Sequence, residues 1–189
     1  MIKIALVGEI GSGKSFISKL FGYPVFNADK EVNHIYLNNA ACFNKLKKTF
    51  PNYISNFPIK KEELINCILA NQKNLKKISD IVHPLVNKRL RIFLNKNKKR
   101  KFLVLDIPLY LENKLNAKKD IIIFINSKKK DIEKRLFKRK TFNKKIHKLL
   151  KKIQLPLKIK KQRSNFIIKN DFSIKTAKKS VKYFFNKFG

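Results

Sequence analysis

The chain has 189 residues, which suits one domain with a core of ordinary size, and the length requires no second. Its 46 basic and 12 acidic residues give a formal charge of +34, which ordinarily points to a polyanionic partner. The excess is nearly all lysine, spread along the chain among Asn, Ile and Phe, so a bias toward AT-rich codons accounts for it equally well, and nucleic acid is not expected as the main partner. No apolar stretch approaches the roughly 20 residues that span a bilayer, and the start of the chain lacks a signal-peptide layout. A cytoplasmic protein without a membrane partner is expected.

The first element is the apolar run Ile4, Ala5, Leu6, Val7, followed by "GEIGSGKS" at residues 8 to 15. That octapeptide holds three of the five glycines in the chain. Beyond it, Phe16, Ile17, Leu20 and Phe21 recur at helical spacing. Strand, tight loop and helix, with Gly8, Gly13, Lys14 and Ser15 in register, match the G-x-x-x-x-G-K-[ST] phosphate loop. Glycines let successive N–H groups turn toward phosphate oxygens, and a helix N-terminus adds its positive dipole end. Lys14 is placed to neutralise the β- and γ-phosphates, and the Ser15 hydroxyl to ligate Mg²⁺. The loop as a whole, Gly8, Glu9, Ile10, Gly11, Ser12, Gly13, Lys14 and Ser15 with Phe16, is the expected nucleotide site.

Further strands are predicted at 24–27, 102–107, 120–125 and 165–169, the first at 3–7. Several are continuous apolar runs, the pattern of strands covered on both faces of a parallel sheet, so the fold class is α/β. Between the second and third strands the pattern stays helical, with stripes at Leu64, Ile65, Ile68, Leu69 and at Val86, Leu90, Phe93, Leu94. Such an insertion suits an acceptor substrate or serves as a structural cap. A second helical excursion, about 131 to 162, carries Arg135 and Arg139 one turn apart and a stripe of Ile146, Leu149, Leu150 and Ile153; it can close over a nucleotide. Cys42 and Cys67 lack metal-type spacing and read as two buried reduced thiols.

A phosphate loop is shared by motors, GTPases and kinases, so other residues must separate them. Asp29, just past the second strand, is placed either to accept a proton from an attacking hydroxyl or to cap the helix that follows. Asp106 ends a buried strand, a costly place for an unpartnered carboxylate, and suits the Mg²⁺ shell better than a purely structural role.

With these residues in hand the chain resembles the dephospho-CoA kinase family. The resemblance rests on "GEIGSGKS", "NAD" at 27–29, "HPLV" at 83–86, "IPLYLE" at 107–112, "KRLFKR" at 134–139, Gln154 and "SNFIIKN" at 164–170, in the family's order over nearly the whole chain. It implies a three-layer phosphate-loop kinase fold with a parallel sheet: a single domain, 1–189, with core about 1–29, 100–130 and 163–189, a helical acceptor-binding insertion about 30–99, and a helical lid about 131–162. It implies ATP and Mg²⁺ as cofactors, dephospho-CoA as small-molecule partner, and a monomer or small homo-oligomer. By the same resemblance Asp29 is the catalytic base, Lys14 and Arg139 act on the phosphates, and Asn170 lies near the adenine. His83 and Pro108 face the acceptor; His83 with Pro84 is expected to open a helix there, with a core or capping histidine as the alternative. Three positions depart from the pattern: Asn27 and Asn165 stand where Asp is usual, and Glu9 where a second Gly is common. Glu9 must point away from the phosphates, since its charge at close range would oppose ATP. The alternatives are another phosphate-loop metabolite kinase and a basic nucleic-acid-binding ATPase.

Overall fold

The computed structural model describes residues 1–139 and 142–189. In chain order the elements are β1 (Ile2–Gly8), α1 (Lys14–Leu20), β2 (Val25–Asn27), α2 (Ala28–Asn38), α3 (Ala40–Thr49), α4 (Lys61–Ala70), α5 (Asn74–Lys96), β3 (Phe102–Asp106), β4 (Ile121–Asn126), α6 (Lys129–Phe137), α7 (Lys144–Lys152), α8 (Leu157–Gln162), β5 (Phe166–Lys169) and α9 (Ile174–Phe188). They form two units, one of Met1–Asn27, Asn97–Phe142 and Ile153–Gly189, the other of Ala28–Lys96 and Asn143–Lys152.

The first unit contains a five-stranded sheet in the order β2-β3-β1-β4-β5, with every pairing parallel. All five expected strands are present, and the α/β reading holds. The reason lies in the sequence of β1: Ile4 and Leu6 on one face and Ala5 and Val7 on the other are all buried, which requires layers on both sides. On the first face Ile4, Leu6, Val104, Ile123 and Ile125 pack with Ile17 of α1, Phe21 just beyond its end, and Val181 and Phe184 of α9. Phe184 meets Phe21 edge-on at 5.4 Å, a favoured aromatic geometry. Helix α8 packs against β1.

Because β1 is central, its C-terminal end and the ends of β3 and β4 emerge side by side. Register pairs Ala5 with Leu105 and Gly8 with Ile125, so the loop after Gly8 leaves the sheet between Asp106 and Asn126. Ligands of open α/β sheets gather at this edge.

The second unit is helical. Helices α2, α3 and α4 pack on the long α5, and α7 packs on α4. Helix α3 is capped by Asn39, whose side chain accepts the Cys42 N–H at 2.7 Å. Glu31 of α2 pairs with Arg89 of α5. Cys42 and Cys67 are buried free thiols, as expected; burial pushes both up from the ordinary thiol range.

Three local expectations are corrected. His83 and Pro84 do not open a helix: both lie within α5, ten residues after it starts, with Pro84 inside the helix. Two expected features of the second excursion end early. Arg139 lies beyond the end of α6, and Ile153 beyond α7, where it is exposed. The excursion is three short helices, and Pro156 before α8 is one reason, since a proline N-terminal to a helix fixes its entry. Lys140 and Thr141, within the expected lid, lie outside the described residues.

Candidate active site

The phosphate loop is built by backbone that only glycine adopts easily. Gly13 has φ 93°, and a Cβ there would sit 2.4 Å from the Asn170 Nδ2 and 3.2 Å from the Phe172 ring. Gly11 has φ 87°, and a Cβ would press on Ile132 and Leu136 of α6 at 3.0 Å. Lys14 curls back over the loop, its Nζ donating to the carbonyls of Glu9 at 2.9 Å and Gly8 at 3.3 Å. The Ser12 N–H donates to the Glu9 carbonyl at 3.1 Å, closing the turn. Ser12 is fully buried, and its Oγ has no hydrogen-bond partner among the described residues. A concave loop with an ammonium folded into it and an unmet hydroxyl inside fits a phosphate group.

The outer side of the loop is tied to the sheet. The Ser12 carbonyl accepts two hydrogen bonds, from Ser127 Oγ at 2.9 Å and Asn170 Nδ2 at 2.8 Å. Asn170, expected near the adenine, thus has its amide on the phosphate loop. Ser127 and Phe172 escaped the sequence reading; their signal was position alone, immediately beyond β4 and β5 at the sheet edge where the loop opens.

On the other side of β1 from β4, Asn27 and Asp106 are register partners at the ends of β2 and β3. The Asn27 amide donates to Asp106 Oδ2 at 2.5 Å, and Asp106 is only 3% exposed. Ser15, on the first turn of α1, is exposed. A hydroxyl and a carboxylate are the hard oxygen donors that Mg²⁺ takes, completing its shell with water and substrate phosphates. The described residues contain no group of three or more His, Cys, Asp or Glu that could cage a metal by themselves. Ser15 and Asp106 are each of the oxygen-donor type that a Mg²⁺ ion shared with a nucleotide takes.

The remaining predicted residues are dispersed. Asp29 is the second residue of α2, within its first turn, and exposed. The capping position before α2 falls on Asn27 instead. His83 is exposed on α5, Pro108 is exposed just past β3, and Arg139 is exposed just past α6. The Asn165 side chain accepts the Ile122 N–H at 2.8 Å, and its backbone N–H donates to the Ile122 carbonyl, so this residue starts the β4–β5 pairing. Behind the site, Glu112 of the "IPLYLE" segment forms a buried ion pair with Lys160 at 2.8 Å and accepts the Leu155 N–H at 2.9 Å.

Comparison with known proteins agrees with this geometry. A dephospho-CoA kinase family model matches residues 2–176. The chain is 38% identical over 184 residues to the dephospho-CoA kinase of Wolbachia sp. subsp. Brugia malayi (strain TRS), covering 95% of this chain and 94% of that one. A crystal structure from Thermus thermophilus aligns with a TM-score of 0.77 at 21% identity, over 100% of this chain and 98% of that one. Dephospho-CoA kinase from Campylobacter jejuni aligns with a TM-score of 0.63 at 23% identity, over 99% and 97%. The structural likenesses establish a shared fold, and the family match and sequence identity establish more: this chain belongs to the dephospho-CoA kinase family.

Proposed function

We propose that the chain transfers the γ-phosphoryl group of ATP to the ribose 3′-hydroxyl of dephospho-CoA, giving coenzyme A, the last step of its synthesis. The observation that carries the reading is the phosphate loop, with its positive-φ glycines and the Lys14 ammonium folded into it, in a chain that matches the family over residues 2–176. Transfer is direct and in line, with no covalent enzyme intermediate, so the protein's work is positioning and neutralisation. Loop amides and Lys14 hold the β- and γ-phosphates, and Arg139 reaches the transferring group from the lid. Asp29 orients and deprotonates the 3′-hydroxyl. Ser15 and Asp106 would hold Mg²⁺, which when bound offsets phosphate charge.

The helical insertion is the proposed acceptor site, with His83 on α5 as its candidate contact. A groove of about 260 Å³ between α4 and α7, lined by Ile68, Leu69 and Leu149 and rimmed by Lys145, Lys148 and Lys152, suits a molecule with an apolar arm and a pyrophosphate. Among the described residues no helix is long and apolar enough to cross a membrane. The charge of +34 favours a second reading, a polyanion-stimulated ATPase. Thermal shift separates the two. Dephospho-CoA should stabilise the protein where nucleoside monophosphates and shikimate do not, and stabilisation by RNA alone contradicts the kinase reading.

A further inference from the structure

The Ser12 carbonyl is where the phosphate loop is anchored, and both of its partners come from outside the loop. Ser127 follows β4 and Asn170 follows β5. Asn170 is itself fixed at its backbone N–H and at both side-chain polar atoms. It is 3% exposed, its N–H donates to the Asn126 carbonyl at 2.8 Å, its Nδ2 donates to the Ser12 carbonyl, and its Oδ1 accepts the Phe172 N–H at 3.1 Å. That last bond holds Phe172 at φ 67°, with its ring against Gly13 and the Arg135 guanidinium stacked 4.3 Å over the ring.

In a trans peptide the carbonyl and the following N–H point in opposite directions. Holding the Ser12 carbonyl outward on Asn170 and Ser127 therefore turns the Gly13 N–H to the opposite side, toward the concave face of the loop. Glycine on the far side of this peptide makes it easy to rotate, so its direction needs an external hold. We infer that Asn170 is a positioning residue for phosphate binding: its amide, with Ser127 beside it, locks the Ser12–Gly13 peptide in the orientation that presents an N–H to the nucleotide. This rests on the phosphate-loop reading of residues 8 to 15. It gives Asn170 a task distinct from contact with the adenine base.

The test is calorimetric binding of ATP and ADP, without acceptor, to the full chain and to Asn170→Asp, Asn170→Ala and Ser127→Ala. Aspartate keeps the shape and can still accept the Phe172 N–H, but an ionised carboxylate cannot donate to the Ser12 carbonyl. Each variant should weaken ATP and ADP about 3- to 10-fold, since each removes one hydrogen bond to the Ser12 carbonyl and leaves the other in place. In steady state the KM for ATP should rise while the KM for dephospho-CoA stays within about twofold. Ser127 is less buried than Asn170, so Ser127→Ala reports on the same carbonyl where the Asn170 variants fold poorly. ATP binding by the unaltered chain tests the loop itself, and the ratio of variant to unaltered affinity tests the clamp. Native ATP affinity in folded Asn170→Asp or Ser127→Ala, or an equal loss for both substrates, would overturn it.

Discussion

Asn27 donates its side-chain amide to the Asp106 carboxylate across the last register pair of β2 and β3. One carboxylate oxygen, Oδ2, is thereby engaged by a neutral donor, which restrains the plane of the group. The amide that stands where the family usually has Asp thus acts on Asp106, beyond removing a charge. Asn27→Ala should raise the Mg²⁺ concentration for half-maximal activity by roughly 3- to 10-fold, the weight of one charge-assisted hydrogen bond. Metal titration at saturating ATP checks this, and an unchanged midpoint would leave the pair with a purely structural role.

Lys14 Nζ sits 2.9 Å from the Glu9 carbonyl, so its ammonium lies over the loop. Lys14 carries no share of the buried core, and Lys14→Ala should leave the melting temperature nearly unaltered while transfer falls to background. Near-normal turnover at saturating ATP would sink the assignment of the loop.

Asp29 lies inside the first turn of α2 and not before it, so substitution by Asn leaves the capping position untouched. A first-turn dipole contribution of about 0.3–1 kcal/mol is lost. If Asp29 is the base, Asp29→Asn should lower turnover by roughly 10²- to 10⁴-fold with ATP affinity retained. Stopped-flow or steady-state rates with parallel ATP binding decide it, and full activity would shift the chemistry to positioning alone.

The parts of this architecture that depend on local pattern were readable in the chain. Ile4 to Val7, Leu103 to Leu105 and Ile122 to Ile125 are apolar at every position, and only a strand covered on both faces accounts for that in so short a run. The phosphate loop was equally plain because glycine is otherwise scarce. What failed was the helix start at His83 and Pro84 that the family resemblance implied: α5 runs through Pro84, held by Ile78, Val82 and Val86 on its buried face. The Asn27–Asp106 bond and the Ser12 anchor were invisible for another reason: they join residues 79 and 158 positions apart, and only the sheet order places them together.

Glu112 and Lys160 are both nearly buried, and they join the segment after β3 to α8. Burial alone would push the Glu112 carboxyl up, but the hydrogen bond and charge of Lys160 and the Leu155 N–H together hold it below the usual carboxylate range. A depressed folded value means stability that is fully present above the unfolded carboxylate range and lost as pH falls through the folded value. Glu112→Gln should cost about 3–5 kcal/mol at neutral pH by stranding the Lys160 charge, and its stability should depend less on pH below about 4.3 than that of the unaltered chain. Denaturant melts from pH 7 to pH 3 measure both effects, and parallel curves would show that the pair does not respond to acid.

The most direct test of the whole account is a coupled assay with ATP, Mg²⁺ and dephospho-CoA, with the product's phosphate located by NMR. The prediction is one ADP formed per dephospho-CoA consumed, a phosphate on the ribose 3′-oxygen, and no transfer to shikimate or to nucleosides. ADP release without a phosphorylated acceptor, or release stimulated by RNA and indifferent to dephospho-CoA, would contradict it.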